Sequence, residues 1–311
     1  MRSTILAAGC LLLFAASTVA QQPPLQRTFV SGATHTYRVR LVVRTELEGQ
    51  RPVKIGAQTY AEPFSRSAEA ELAWQATRRV VALNPDGSAN IEETLGQFTN
   101  VLATPHPEED DEPAQKLADA LGEALRRWIN AGNASAGSRT LSYVESPAGA
   151  LSMLKPDAAL FLDEAPPLLL TPWLLRALRP TTSLPPQPVR FGQRWQEPRA
   201  VELPHWTNAQ GAESGEWLQS PQSPESSVRL HIVQQISGRV ASGPDLPAAG
   251  AAEGRFHGES LATIFLLDGH LSAATRSAVR EITWTVPAPG LPEAPRFRGR
   301  LTVEIQIEEL R

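Results

Sequence analysis

The 311-residue sequence predicts an α+β fold: mostly long antiparallel strands in one or two curved, half-barrel-like sheets, with two or three helices covering the concave side. Three observations predict it. Apolar and polar residues alternate strictly along several runs, turn-forming residues stand between those runs, and the middle of the chain holds two stretches with helical spacing and caps.

At the start, Arg2 is followed by the apolar run Ile5 to Ala16 and by small residues ending Thr18-Val19-Ala20. A basic start, an apolar core too short to cross a bilayer and a small-x-small end form the layout of a cleavable secretory signal, expected over residues 1–20. Cys10, the single cysteine, lies inside the apolar core, whereas a lipid-bearing cysteine follows such a core. Cleavage removes Cys10 together with Arg2, leaving a cysteine-free chain whose net charge moves from −4 to −5. A mildly acidic chain with scattered basic residues excludes nucleic acid as the expected partner. Beyond the signal, no apolar run reaches the roughly 18 residues of a spanning helix, so no integral membrane protein is expected after cleavage. The expected location is periplasmic or extracellular.

The strands follow in order. Tyr37, Val39, Leu41 and Val43 alternate with Arg38, Arg40 and Arg44, which puts one row on a core and the other in water. Asn84-Pro85-Asp86-Gly87 separates Val80 to Leu83 from Ala89 to Leu95 and predicts a hairpin. Val228, Leu230 and Ile232 alternate with Arg229 and His231. Asp268-Gly269 joins Leu261 to Leu267 with Leu271 to Val286, and Pro287 to Pro295 leads to the last run, where Leu301, Val303, Ile305 and Ile307 interleave with polar residues. A contiguous antiparallel sheet is therefore expected from about Val228 onward.

The helices lie between. Residues 111–130 read as an amphipathic helix, with Asp111 as cap, Pro113 in the first turn and Leu117, Leu121, Ala124 and Trp128 on one face. A second helix is expected to start at Thr171 and Pro172 and run through Leu178 to a stop at Pro180. Domain organisation follows: residues 21–180 form an N-terminal sheet with helices, 181–188 a proline-rich connector, and 189–311 a C-terminal sheet. Both units open alike, Phe29-Val30-Ser31-Gly32 against Val189-Arg190-Phe191-Gly192, a hint of duplication.

The run Pro185-Pro186-Gln187-Pro188-Val189-Arg190-Phe191-Gly192-Gln193-Arg194-Trp195, with the later Phe265-Leu266-Leu267-Asp268-Gly269-His270 hairpin, resembles exported bacterial β-rich proteins whose half-barrel sheet is similar to that of LolA-like and LolB-like lipoprotein carriers. The resemblance implies a concave apolar sheet that holds acyl chains and is plugged by helices. It carries over no site residue.

Catalytic motifs are thin. Gly258-Glu259-Ser260-Leu261-Ala262 has part of a nucleophile-elbow pattern, but a strand and hairpin follow where the elbow needs a helix. Ser152-Met153-Leu154-Lys155 has Ser-x-x-Lys spacing, but Pro156 blocks a helix and the companion motifs are missing. No histidine pair has metal-ligand spacing; His257 and His270, flanking one hairpin with Glu259 nearby, come closest, and neither a metal nor a cofactor is expected. The acidic run Glu108 to Glu112 lacks the alternating ligands of a calcium loop. Trp128, Trp195, Trp217 and Trp284 are expected in the core or at its rim.

One stretch stands out: Ala165-Pro166-Pro167 followed by Leu168, Leu169, Leu170, Thr171-Pro172, Trp173 and Leu174. Such a segment covers an open sheet, and Leu168, Leu169, Leu170, Trp173 and Leu174 are the candidate residues against an apolar ligand. The expectation is an exported, non-catalytic binding or assembly module of the bacterial envelope whose partner is an apolar, lipid-like ligand or an envelope protein. A structural or protein-interaction module without a small-molecule ligand, using edge strands or the Arg38, Arg40 and Arg44 face, is the alternative; a serine hydrolase is the second alternative.

Overall fold

The computed structural model describes residues 25–96, 99–106, 139–155, 171–185, 187–198, 206–218, 227–240, 252–286 and 290–310. Among these residues twelve strands form one antiparallel sheet: β1 (Thr34–Ile55), β2 (Gln58–Leu83), β3 (Ala89–Leu95), β4 (Thr99–His106), β5 (Arg139–Glu145), β6 (Leu151–Lys155), β7 (Arg194–Pro198), β8 (Trp206–Leu218), β9 (Ser227–Val240), β10 (Ala252–Phe265), β11 (Leu271–Thr285) and β12 (Arg296–Leu310). Among the described residues a single short helix, α1 (Thr171–Ala177), precedes β7. The hairpins read from turn residues form as expected: β2 pairs β3 across Asn84 to Gly87, β10 pairs β11 across Asp268-Gly269, and β11 pairs β12.

The spatial order is β6-β5-β3-β2-β1-β12-β11-β10-β9-β8-β7, with β4 on β2. The half from β7 to β12 is a meander, in the other half β3 pairs β5 while β4 returns to β2, and the last strand of the chain pairs with the first, Val39 opposite Ile307 and Val43 opposite Val303. The two halves thus share one hydrogen-bonded sheet. Both outer strands, β6 and β7, are five residues long, which limits the unpaired edge each presents. Because β6 and β7 lie at opposite edges, the chain joining them travels from one edge of the sheet to the other.

That crossing chain covers the dry face. Leu174, Ala177, Leu178, Leu184 and Val189 share one core with Tyr37, Val39, Leu41, Leu72, Trp74, Leu230, Phe256, Ile264, Val303 and Ile305. A core reaching from β5 to β7 around one crossing segment requires the sheet to curl about it. The expected cover of two or three helices is corrected here: among the described residues it is α1 plus irregular chain. Pro180 ends the helix after two turns, and Pro185 and Pro188 keep the following chain extended. The proline-rich segment is itself interior, with Thr181, Thr182 and Leu184 buried. The helix expected over 111–130, like the signal segment 1–20, the acidic run and Trp128, lies outside the described residues.

The similar openings of the two halves have the same local structure. Ala33 N–H donates to Val30 and Gln193 N–H to Arg190, closing equivalent turns whose third residues, Gly32 and Gly192, have φ of +83° and +74°. In each, the glycine N–H donates to the second strand of its half, Val80 at 2.8 Å and Trp217 at 2.9 Å, and the N–H of that residue returns to Ala33 or Gln193. Glycine is required there because the positive φ is strained for other residues.

The wet face carries cross-strand ion pairs, Arg40–Glu71 at 2.7 Å, Arg44–Glu69 at 2.5 Å and Arg298–Glu281 at 2.6 Å. Beyond Gly49 opposite Phe297, β1 and β2 continue as a two-stranded arm to the pair Ile55 and Gln58, with Ile55 66% and Tyr60 47% exposed.

Candidate functional site

A cavity of about 450 Å³ lies between the crossing chain and the dry face. Its roof is α1 and the chain after it, Trp173, Ala177 and Thr181 to Ser183; its floor includes Glu213 of β8, Ile232 and Gln234 of β9, Ser260 of β10 and Arg276 of β11. The β5–β6 hairpin closes one side with Gly149 to Leu151. Trp173 is half-buried, meets Phe256 edge-on at 6.1 Å and turns toward the cavity, while its neighbour Leu174 is fully buried in the core. The helix sits where it does because those two adjacent side chains divide the work, one anchoring and one lining.

The polar lining is specific. Glu213 accepts a 2.6 Å hydrogen bond from Gln234. The Ser260 hydroxyl is buried and has no hydrogen-bond partner among the described residues. Arg276, interior to β11, donates to the carbonyls of Ala177, Arg179 (3.0 Å) and Thr181, gripping the chain that leaves α1. Carbonyls at a helix C-terminus lack intrahelical donors, and a cation there also meets the negative end of the helix dipole. Burial lowers the Arg276 guanidinium to about 10, with the nearby positive charge of Arg179 adding to the effect.

Behind the roof, the same chain is held by a buried charge network. Arg27 donates to Glu145 at 2.5 Å, to Thr181 at 2.9 Å and to the Thr182 carbonyl; Arg78 donates to the other Glu145 oxygen at 2.8 Å. Arg179 and Tyr143 both donate to Glu93, at 2.7 and 3.1 Å. Burial alone would raise the Glu145 carboxyl, but Arg78 and Arg27 outweigh it and hold it below its ordinary value. Glu93 goes the other way: burial raises it despite Arg179 and Tyr143. Burial likewise lowers Arg27 against the pull of Glu145. Arg27 belongs to a strap, residues 25–33, that ties the β5–β6 hairpin through Arg27 N–H to Pro147 O (3.1 Å) and the β10–β11 hairpin through Thr28 N–H to Leu266 O (2.8 Å).

Of the residues expected at the site, Trp173 lines the cavity, Leu174 is core, and Leu168, Leu169 and Leu170 lie outside the described residues. Ser260 lines the cavity from the middle of a strand, so no elbow forms, and among the described residues no base is hydrogen-bonded to its hydroxyl. Ser152 is exposed on the edge strand β6, where the helical one-face geometry of Ser-x-x-Lys does not arise. His257 pairs with Val279 well down the hairpin from the turn bearing His270, and the two do not meet; Glu259 instead contacts His231 at 2.7 Å. Trp195 and Trp284 are buried and Trp217 packs against the core. Arg40 and Arg44 of the arginine face are paired to Glu71 and Glu69.

No protein-family model and no curated protein matches the chain. Among solved structures it is similar to an outer membrane channel from Pseudomonas putida F1, at 9% identity and a TM-score of 0.21 over 93% of this chain and 99% of that one. A TM-score that low carries no statement about fold or function.

The network residues escaped sequence reasoning, although they left a mark. Arg78 falls in the row Leu72, Trp74, Ala76, Val80; Glu93 in the row Ile91, Leu95; Glu145 in the row Leu141, Tyr143; Arg276 in the row Ala274, Ala278. A charge on the apolar phase of an alternating strand is the signal, because such a position is dry unless the strand ends.

Proposed function

We propose that the protein is an exported, non-catalytic binding module whose ligand occupies the cavity between α1 and the dry face of the sheet. The observation that carries the reading is the cavity itself: its volume of about 450 Å³ falls in the range of small-molecule sites, and a fully packed core would have left no such space. Trp173, Ala177 and Ile232 suit an apolar body, and Ser260, Gln234 and Arg276 suit one polar end, so the ligand is amphiphilic and lipid-like. A carrier of this kind is also what the resemblance to LolA-like and LolB-like proteins implies. The placement of Ser260 in mid-strand, where no nucleophile elbow forms, supports binding over hydrolysis.

Native mass spectrometry of protein purified from the periplasm, before and after organic extraction, tests the reading. A bound mass that extraction removes and that Trp173→Ala depletes is the expected result. Unliganded protein in both samples counts against it. A second reading, docking to an envelope protein, is favoured by the exposed Ile55 and Tyr60 on the β1–β2 arm; capture of one specific partner, lost when both are changed to serine, would support it instead.

A further inference from the structure

We propose a binding site for a divalent transition ion of the zinc class, built from His35, His270 and Glu309. These residues come from the start of β1, the turn before β11 and the end of β12, and their donor atoms all lie within 4.8 Å of one another. Strand pairing brings them together: Glu309 stands opposite Tyr37, so it shares the face of His35 two residues away. The Glu309 carboxylate reaches both rings, His35 Nδ1 at 2.8 Å and His270 Nε2 at 3.4 Å. Two imidazole nitrogens and a carboxylate are a donor set that zinc takes, leaving a further position for water.

A second observation points the same way. The other nitrogen of His270, Nδ1, is hydrogen-bonded to Asp268. Metal-bound histidines are oriented by such a carboxylate on the far nitrogen, which fixes the tautomer and leaves Nε2 free to ligate. His270 is further fixed by Phe265, stacked on it at 4.6 Å, and the site is largely shielded from water. His35 and His270 lie face to face, centroids 4.4 Å apart and planes 10° from parallel. With His270 held by Asp268 and Phe265, ion binding opens the stack by rotation of the His35 ring about its soft Cβ–Cγ torsion. Among the described residues, His231 and Glu259 on the wet face form a rival pair with only two donors.

The test is titration of the full processed chain, stripped with chelator, with Zn²⁺ by calorimetry and with Co²⁺ by visible absorption, which reports the coordination. One equivalent of each ion, with cobalt bands of low coordination number, is expected. His35→Ala and Glu309→Gln each weaken binding at least tenfold, Asp268→Asn weakens it about 10- to 100-fold while the cobalt spectrum changes, and His231→Ala leaves it unchanged. Glu309→Gln keeps the side-chain volume, so it reports even where a histidine replacement disturbs the turn. No saturable binding of either ion overturns the site, as does binding that survives both His35→Ala and Glu309→Gln or is lost with His231→Ala.

Discussion

The two faces of the sheet use the same chemistry, arginine against glutamate, under opposite conditions. On the wet face, Arg40–Glu71 and Arg44–Glu69 are a third or more exposed at each partner. On the dry face, Arg27, Arg78 and Glu145 have no exposed side-chain surface. Water screens the first set and holds both charges at little cost; it is absent from the second, where each charge relies on its protein partners. The comparison teaches that the wet ladder decorates a sheet already formed, whereas the dry network holds the strap and the crossing chain in place over the cavity.

The largest effect expected from this contrast is at Glu145. Glu145→Ala strands Arg27 and Arg78 without their shared anion, and chemical denaturation should register a loss of about 3–5 kcal/mol. A loss under about 1 kcal/mol would make the dry network equivalent to the wet one. Replacing Arg27, Arg78 and Glu145 together by apolar residues of similar volume should destabilise less than Glu145→Ala alone, because no buried charge is then left unpaired.

Next in size is the anchor of the roof. Leu174 is fully enclosed, and Leu174→Ala should cost about 2–5 kcal/mol, while Trp173→Ala, half-exposed beside it, should cost less and act mainly on ligand retention. Equal losses of stability at both positions would show that the two side chains do not divide anchoring from lining.

Acid titration separates the two buried carboxylates. Glu145 is held below its unfolded value of about 4.3, so its stabilisation is complete above that pH and is lost as pH falls through its folded value. Glu93 is held above its unfolded value, so the folded state is penalised once pH rises through that window and relieved as pH falls back through it. Stability measured from neutral pH downward should therefore first gain from Glu93 and then fall from Glu145. Glu93→Gln should remove the early gain, and Glu145→Gln should flatten the later loss. An acid limb unchanged in both variants would assign the pH dependence to other groups.

Much of the sheet is legible in the sequence because alternation and turn residues are local. Asp268-Gly269 and Asn84-Pro85-Asp86-Gly87 name their hairpins, and Tyr37, Val39, Leu41 and Val43 name the buried row of β1. The β1–β12 pairing is not legible: it joins residues at opposite ends of the chain, and nothing in the period of either strand selects its partner. The crossing chain misleads for a different reason. Its prolines read as a linker, yet extended chain with Leu184 and Val189 turned inward covers a sheet as well as a helix does. The cavity is half-visible: Trp173 stands among the residues expected against an apolar ligand and Ser260 draws notice only for its elbow-like setting, while Arg276 and Glu213 carry no motif. Buried charges break the binary pattern that makes strands readable, so the positions that organise the dry face are those the pattern passes over.

The smallest expected effect is on the wet face, and it completes the contrast. The Arg40 hydrogen bond lowers the Glu71 carboxyl, yet both groups face solvent. Glu71→Gln should cost about 0.2–1 kcal/mol at low salt, and that cost should shrink in 1 M salt, because counterions reach both exposed groups. The Glu145→Ala loss should barely respond to the same salt, because no counterion reaches a fully enclosed carboxylate. Salt therefore distinguishes the two faces independently of the size of either loss: a Glu145 effect that shrinks with salt as the Glu71 effect does would place water inside the network and remove the basis for treating the strap as a dry seal.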